Sequence, residues 1–93
     1  MSTITVFGIE FDHHDFDERG DTLYLHVGPP REPARAIETP EGHIVEYDEQ
    51  GALIGLELLN VQMTLKRDGK LKLTWPQTEV DAATLTPALG AAA

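Results

Sequence analysis

The segment 12–21 carries the side chains whose chemistry is most evident. It reads Asp-His-His-Asp-Phe-Asp-Glu-Arg-Gly-Asp. Imidazole and carboxylate groups are the ligands that zinc and other divalent ions take in proteins. The candidate ligands are His13, His14, Asp15 and Asp17. However, adjacent histidines on an extended chain point to opposite faces, and the acidic residues do not follow the spacing of a calcium loop. A metal-binding protein or small metal-dependent enzyme is therefore the alternative interpretation. The preferred one is a solvated polar loop with Phe16 turned inward.

Two glutamates on neighbouring predicted strands form the second candidate. Glu46 and Glu57 are expected on one face of a hairpin, and a close pair of carboxyl groups can do acid–base chemistry because their pKa values separate. The sequence implies no cleft around them, so we expect two hydrated surface groups. His26 and His43 lie on strands and are expected to be packing residues. The only serine is Ser2 and there is no cysteine, so no nucleophilic set is present. We predict a non-enzymatic protein without a cofactor.

The charge distribution favours a protein partner over a nucleic acid. The chain has 93 residues, 16 acidic and 7 basic, and a formal charge of -9. Residues 1–60 carry 13 acidic and 3 basic side chains, whereas four basic residues lie within 66–72. Nucleic-acid binding draws its affinity from cationic side chains that neutralise phosphates. An acidic surface instead favours a basic protein partner by charge complementarity.

Length and hydropathy place further limits on the protein. A chain of this size fits one domain, 1–93, with a thin core that a partner or a second copy would supplement. Residues 1–6 lack a basic region and a long apolar run, and no apolar stretch approaches the roughly 18 residues that a membrane span needs. We therefore predict a cytoplasmic protein with no membrane contact.

Alternation of apolar and polar residues dominates the first half of the chain. A period of two residues is typical of half-buried strands. It predicts strands over 3–12 and 22–28, with the polar loop between them. A proline-rich connector follows at 28–33, and a short edge strand is predicted at 34–39.

Two hairpins are predicted after this connector. Strands 43–47 and 53–60 are joined by the acidic turn 48–51, and a four-residue loop pairs Val45 with Ile54. An additional hairpin is predicted over 61–76, with a three-residue loop that ends at Gly69 in the left-handed conformation and pairs Val61 with Trp75. Its outer face carries Lys66, Lys70 and Lys72.

The remaining segment, 77–93, predicts a short helix and a frayed tail. Thr78 or Asp81 could cap the helix, and Leu85 and Leu89 are spaced to dock on the sheet. The predicted fold class is therefore mainly β (α+β), an antiparallel β-sheet of consecutive hairpins with a short C-terminal helix.

Two segments resemble the small bacterial domain-of-unknown-function family 2283. The first is Phe11-Asp12 with the later Asp21-Thr22-Leu23-Tyr24-Leu25. The second is the acidic turn that begins Val45-Glu46-Tyr47-Asp48, with the strand after it. The resemblance covers about residues 7–60 and implies a compact β-rich cytoplasmic domain without an established activity. Some members of that family look as if they are encoded beside small toxin-like proteins, and the resemblance therefore implies an antitoxin role. The proline-rich connector and the roughly thirty residues after 60 depart from the family pattern.

The preferred interpretation is a non-enzymatic protein-binding module, an antitoxin-like partner of a basic protein or a self-associating subunit. The predicted partner-binding residues are Asp12, Asp21, Tyr24, Glu46, Tyr47, Asp48 and Glu57. A homo-oligomeric structural subunit stays open beside the metal-binding alternative.

Overall fold

The computed structural model describes residues 3–6, 8–74 and 78–92. In chain order its elements are β1 (Ile4–Val6), β2 (Ile9–Phe11), β3 (His13–Asp17), β4 (Thr22–His26), β5 (Arg35–Glu38), β6 (Ile44–Tyr47), β7 (Leu53–Leu59), α1 (Val61–Asp68), β8 (Lys70–Leu73), β9 (Thr78–Asp81), α2 (Ala82–Leu85) and a 3-10 helix (Thr86–Ala92). All strand pairs are antiparallel. The mainly β (α+β) fold with a short C-terminal helix is confirmed.

A five-stranded sheet, in the order β3-β4-β7-β6-β5, forms the centre of the fold. One of its faces packs against the two small hairpins, β1-β2 and β8-β9, and the helical segments. The sheet contributes Leu23, Leu25, Val45, Leu56 and Leu58 to this core, and the covering layer contributes Ile4, Val6, Phe11, Val61, Leu71, Leu73, Val80, Leu85, Ala88 and Leu89. Each buried leucine contributes about 1.5–3 kcal/mol of transfer free energy. The opposite face of the sheet carries the other set of side chains, since neighbours along a strand alternate between faces.

The predicted polar loop between the first two strands is wrong. Residues 13–17 form β3, an edge strand paired along its whole length with β4. An edge strand tolerates polar side chains on both sides, and charged residues there discourage pairing with other chains. Phe16 is half-buried against the core, as expected. The long strand predicted at 3–12 is divided into β1 and β2, because the chain reverses at Gly8, whose φ is 74°.

The predicted hairpin over 61–76 is also wrong. Residues 61–68 form α1, with Val61 buried and Leu65 packed against the core. The apolar residues at 61, 63 and 65 fit the alternation of a strand. However, Val61 and Leu65 are four residues apart, which equally fits one face of a helix. Met63, which a strand would place beside them, is exposed. Gly69 does adopt the predicted left-handed conformation, as the residue that ends the helix.

The predicted hairpin of β6 and β7 is present, but its register is shifted by two residues. Val45 pairs with Leu56, and Tyr47 pairs with Leu53 across a bulge. One residue of the shift arises at the turn, where the Asp48 N–H donates to the Ala52 carbonyl, and the other at the bulge between Glu46 and Tyr47. A shift of two residues preserves the face of every side chain.

The C-terminal segment follows the prediction in part. Asp81 caps α2, since its carboxylate accepts a hydrogen bond of 2.9 Å from the Thr84 N–H. The chain then continues as the 3-10 helix where we expected a frayed tail, and Leu85 and Leu89 are both buried. This helix is consistent with Pro87, which cannot donate an α-helical hydrogen bond. The predicted roles of Trp75 and Pro76 lie outside the described residues.

Candidate functional site

The face of the sheet that points away from the core carries a cluster of ionisable side chains. Tyr24 pairs with Glu57 across β4 and β7, and His26 pairs with Gly55. Gly55 also pairs with Glu46 on β6. Because directly paired residues project from the same face, these five positions are neighbours on one surface. We call them the outer-face cluster.

A cavity of about 640 Å³ opens over this cluster. Its lining includes four carboxylate residues, Asp12, Asp15, Glu46 and Glu57. Arg31, in the proline-rich connector, also lines it. Arg31 lies 3.7 Å from the Asp48 carboxylate, which is consistent with a role in holding the connector beside the sheet. Carboxylates are therefore the most numerous charged groups in the lining of the cavity.

Glu46 and Glu57 both line the cavity and lie close enough for their carboxyl groups to interact. Burial raises the pKa of Glu46, and the charge and hydrogen bond of Glu57 raise it further, while a positive charge on His26 would oppose the shift. A hydrogen bond between two carboxyl groups needs one proton, so the pair is unfavourable when both groups are ionised. The prediction that the two glutamates share a face is confirmed. They are diagonal neighbours, because Glu57 lies opposite Ile44.

His26 is the third polar member of the outer-face cluster, and it is 6% exposed. Its Nδ1 lies 3.1 Å from the carbonyl oxygen of Gly28. A carbonyl only accepts, so Nδ1 carries a proton, and in the neutral imidazole this leaves Nε2 as an acceptor. Nε2 is buried and has no hydrogen-bond partner among the residues that the structure describes. A buried polar atom without a partner costs about 1–3 kcal/mol and suggests a site that a ligand completes.

Gly55 brings Glu46 and His26 together. A Cβ atom at this position would overlap a carboxylate oxygen of Glu46 and lie 3.0 Å from Cδ2 of His26. Both side chains therefore extend over the glycine from the strands on either side. A glycine inside a strand often marks such a close approach.

Asp12 lines the cavity and also joins two parts of the chain. One of its oxygens accepts a hydrogen bond of 2.8 Å from the Gly28 N–H and lies 3.0 Å from Nδ1 of His13. The hydrogen bond with His13 lowers the pKa of Asp12, and the bond from Gly28 lowers it further. Asp12 therefore helps hold the end of β4 beside the start of β3.

Asp21 lies away from the cavity and caps α1. Its two carboxylate oxygens accept hydrogen bonds of 2.8 Å from the Gln62 N–H and 3.1 Å from the Met63 N–H. Its carbonyl accepts a third bond, from the Val61 N–H. Asn60, which directly precedes the helix, makes no side-chain cap. The capping residue is thus supplied by a distant segment of the sheet.

The other predicted partner-binding residues have different surroundings. Tyr24 belongs to the outer-face cluster and is 41% exposed. Asp48 accepts hydrogen bonds from the Gln50 and Ala52 N–H groups and so shapes the turn. Tyr47 is half-buried and packs against the core. The structure thus brings Tyr24, Glu46 and Glu57 together. The sequence did not identify His26 and Gly55 as site residues. A signal was present, because His26 is two residues from Tyr24 and Gly55 is two residues from Glu57, and residues two apart on a strand share a face.

The candidate metal ligands are divided between two faces of β3. His13, Asp15 and Asp17 alternate with His14 along the strand, so His14 points to the opposite side. Across residues 3–6, 8–74 and 78–92, no group of three or more histidine, aspartate or glutamate side chains is placed to hold a metal ion. The expectation that adjacent histidines diverge on an extended chain is confirmed.

His43 is buried on the loop before β6. Its Nδ1 accepts a hydrogen bond of 3.0 Å from the Leu59 N–H. Burial lowers the pKa of His43, and the charge of Glu41 opposes the shift. His43 is therefore a neutral structural acceptor in the fold.

Residues 14–62 match the model of one protein family, described as "Protein of unknown function (DUF2283)". The match spans just over half of the chain. The protein belongs to this family. The DUF2283 segment contains β4, β6 and β7, and with them the whole outer-face cluster. No curated protein and no solved structure matches the chain. No helix in the described part of the chain is long and apolar enough to cross a membrane.

Proposed function

We propose that this DUF2283 protein is a non-enzymatic binding module that pairs with a basic protein, in the manner of an antitoxin. The observation that carries the proposal is the cavity on the outer face of the sheet, where Glu46 and Glu57 converge beside the buried His26. Two carboxylates that repel each other in the free protein are stabilised by a cationic group placed between them. A basic surface supplies such groups.

The charge of the cavity supports this choice of partner. Four carboxylates line it, and its one arginine, Arg31, lies beside the carboxylate of Asp48. Complementary charge raises the rate of encounter and disfavours acidic competitors. Tyr24, exposed beside Glu57, adds an aromatic ring of the kind that often contributes most to interface affinity.

The edges of the sheet offer a second type of contact. β3 and β5 are the outermost strands of the five-stranded sheet. An edge strand presents unpaired N–H and C=O groups to which an extended segment of a partner can add. β3 borders the cavity through His13 and Asp15, so one partner could contact both the edge and the outer face.

The test is affinity capture from the lysate of the protein's own host at about 0.05 M and about 1 M salt, followed by the mass of the purified complex. We expect a small basic protein bound one-to-one at low salt and released at high salt. The doubly neutralised variant Glu46→Gln/Glu57→Gln should not capture this protein at low salt.

The matched control is Glu10→Gln/Glu18→Gln, which removes two charges from exposed residues that do not line the cavity. It should keep the captured protein at low salt. Equal capture by both double variants, or capture that persists unchanged at high salt, would contradict the electrostatic interface. A homodimer with no basic protein attached would favour the self-associating subunit instead.

A further inference from the structure

The outer-face cluster holds three hydrogen-bond acceptors around one small area of the sheet. Glu46 and Glu57 both line the cavity there, as diagonal neighbours on β6 and β7. The third acceptor is Nε2 of His26, whose ring lies beside the Glu46 carboxylate over Gly55. Because the Gly28 carbonyl holds a proton on Nδ1 of His26, Nε2 of the neutral imidazole presents a lone pair. Apart from the phenol of Tyr24 and a proton shared by the two carboxyl groups, the cluster therefore lacks a donor.

The group that complements three converging acceptors is a cation with several N–H donors. A guanidinium group has five donors in a plane and binds carboxylates in a fork geometry. An ammonium group has only three donors and is more strongly hydrated. Tyr24 lies directly opposite Glu57 on β4 and offers an aromatic face against which a guanidinium can stack. These features favour arginine over lysine.

We propose that the cavity beside the outer-face cluster is a binding site for one arginine side chain, held by Glu46 and Glu57 with His26 as the third acceptor. The inference rests on the proposed function, because the arginine would come from the basic partner. Nε2 of His26 is covered in the free protein. The Glu46 carboxyl group, which overlies Gly55 beside the imidazole, turns towards the cation and gives the guanidinium access to the ring nitrogen.

The experiment uses three short peptides as probes, each acetylated and amidated at its ends, with the sequences Gly-Arg-Gly, Gly-Lys-Gly and Gly-citrulline-Gly. Each is titrated into ¹⁵N-labelled full-length protein at pH 7.5 and low salt. The readouts are the amide signal of Gly55 and the ring nitrogen signals of His26. We expect saturable binding of the arginine peptide with a Kd on the order of 1 mM. The neutral citrulline peptide should bind at least about tenfold more weakly.

Three variants test the residues. Glu46→Gln and Glu57→Gln should each weaken binding of the arginine peptide about fivefold or more. Gly55→Ala should abolish saturable binding without a change of charge, because the added methyl group would displace the Glu46 carboxylate and the His26 ring from their places above this residue. Glu10→Gln is the matched control and should leave the Kd unchanged. The amide spectrum of each variant reports whether it folds.

Three results would overturn the inference. If the lysine peptide bound as tightly as the arginine peptide, the argument for a guanidinium site would be removed. Arginine binding that leaves the His26 nitrogen signals unmoved would exclude the imidazole as an acceptor. Arginine binding that survives Gly55→Ala would place the site elsewhere. Failure of the peptide test beside successful capture of a basic partner would refute the arginine site alone, whereas peptide binding without such a partner would refute the proposed function.

Discussion

Replacement of Asp21 should destabilise the fold through the loss of the cap on α1. The carboxylate accepts two hydrogen bonds from the first turn of the helix, one on each oxygen. Loss of an N-cap costs about 0.5–2 kcal/mol, and hydrogen bonds to a charged group contribute about 1.5–3 kcal/mol. Asp21 also has a left-handed backbone with φ of 51°, in which alanine is disfavoured by about 1 kcal/mol. We expect Asp21→Ala to lower the free energy of unfolding by about 3 kcal/mol.

Two further variants separate the contributions at this position. Asp21→Asn retains one accepting oxygen but places an NH₂ group against the second N–H donor. The free energy of unfolding should therefore fall by about 1–2 kcal/mol. Asp21→Gly loses both side-chain bonds but relieves the left-handed backbone, and should fall between the other two variants. A domain of this size has a total stability of about 5–14 kcal/mol, so differences of this size are well resolved.

Urea unfolding followed by circular dichroism measures these differences, with an unchanged m-value as the sign of an intact two-state transition. Hydrogen exchange should show lost protection at the amides of Gln62 and Met63, which donate to Asp21. A loss below about 0.5 kcal/mol for Asp21→Ala, with both amides still protected, would refute a capping role. It would return Asp21 to the set of residues available for a partner.

Three other substitutions test separate parts of the structure. Glu46→Gln removes one of two facing carboxylates and should stabilise the protein at pH 7 by roughly 0.2–1 kcal/mol in urea unfolding. Since the folded pKa of Glu46 is raised, wild-type stability falls as pH rises through that pKa, and the advantage of the variant should vanish near pH 4. The lowered pKa of His43 means that its contribution is present above pH 6.5 and is lost as pH falls through the folded pKa. His43→Asn, which keeps an acceptor for the Leu59 N–H but does not titrate, should therefore show a flatter urea midpoint between pH 7.5 and 5; an unchanged pH dependence would contradict this role. Gly69→Ala should cost about 1 kcal/mol, because this residue ends α1 with φ of 76°, and a neutral effect on the thermal midpoint would argue against the left-handed cap.

The sequence predicted the central strands because their alternation is unambiguous. Leu23 and Leu25 alternate with Tyr24 and His26, and both leucines are buried in the core. The pattern over 61–65 is too short to distinguish a period of two from a period of 3.6. The deciding interaction for α1 is its cap by Asp21, some forty residues earlier in the chain, and no local pattern contains that information.

The candidate site could be predicted only in part for a similar reason. Alternation alone places Glu46 and Glu57 on one face, whatever the even register shift between their strands. The involvement of His26 depends on the pairing of β4 with β7, which joins strands separated by about thirty residues. Long-range pairing of this kind is not encoded in the turn residues that set a hairpin register. Gly55 was therefore recognised as part of a strand, but its role in the close approach of Glu46 and His26 was not.

The division of the chain between family segment and flanking segments bears on where function resides. The DUF2283 match, 14–62, contains the five strands of the central sheet almost completely, together with the outer-face cluster. The layer that covers the other face comes mostly from 4–11 and 61–89. Removal of that layer would expose the buried leucines of β4 and β7, so the flanking segments are needed for stability, and they contribute little to the acidic face apart from Asp12 at its border. The cap at Asp21 links the two parts, because a residue of the family segment holds the first helix of the covering layer in place. Substitutions in the covering layer should therefore act on the free energy of unfolding, whereas substitutions of Glu46 and Glu57 should act on partner affinity with little loss of stability.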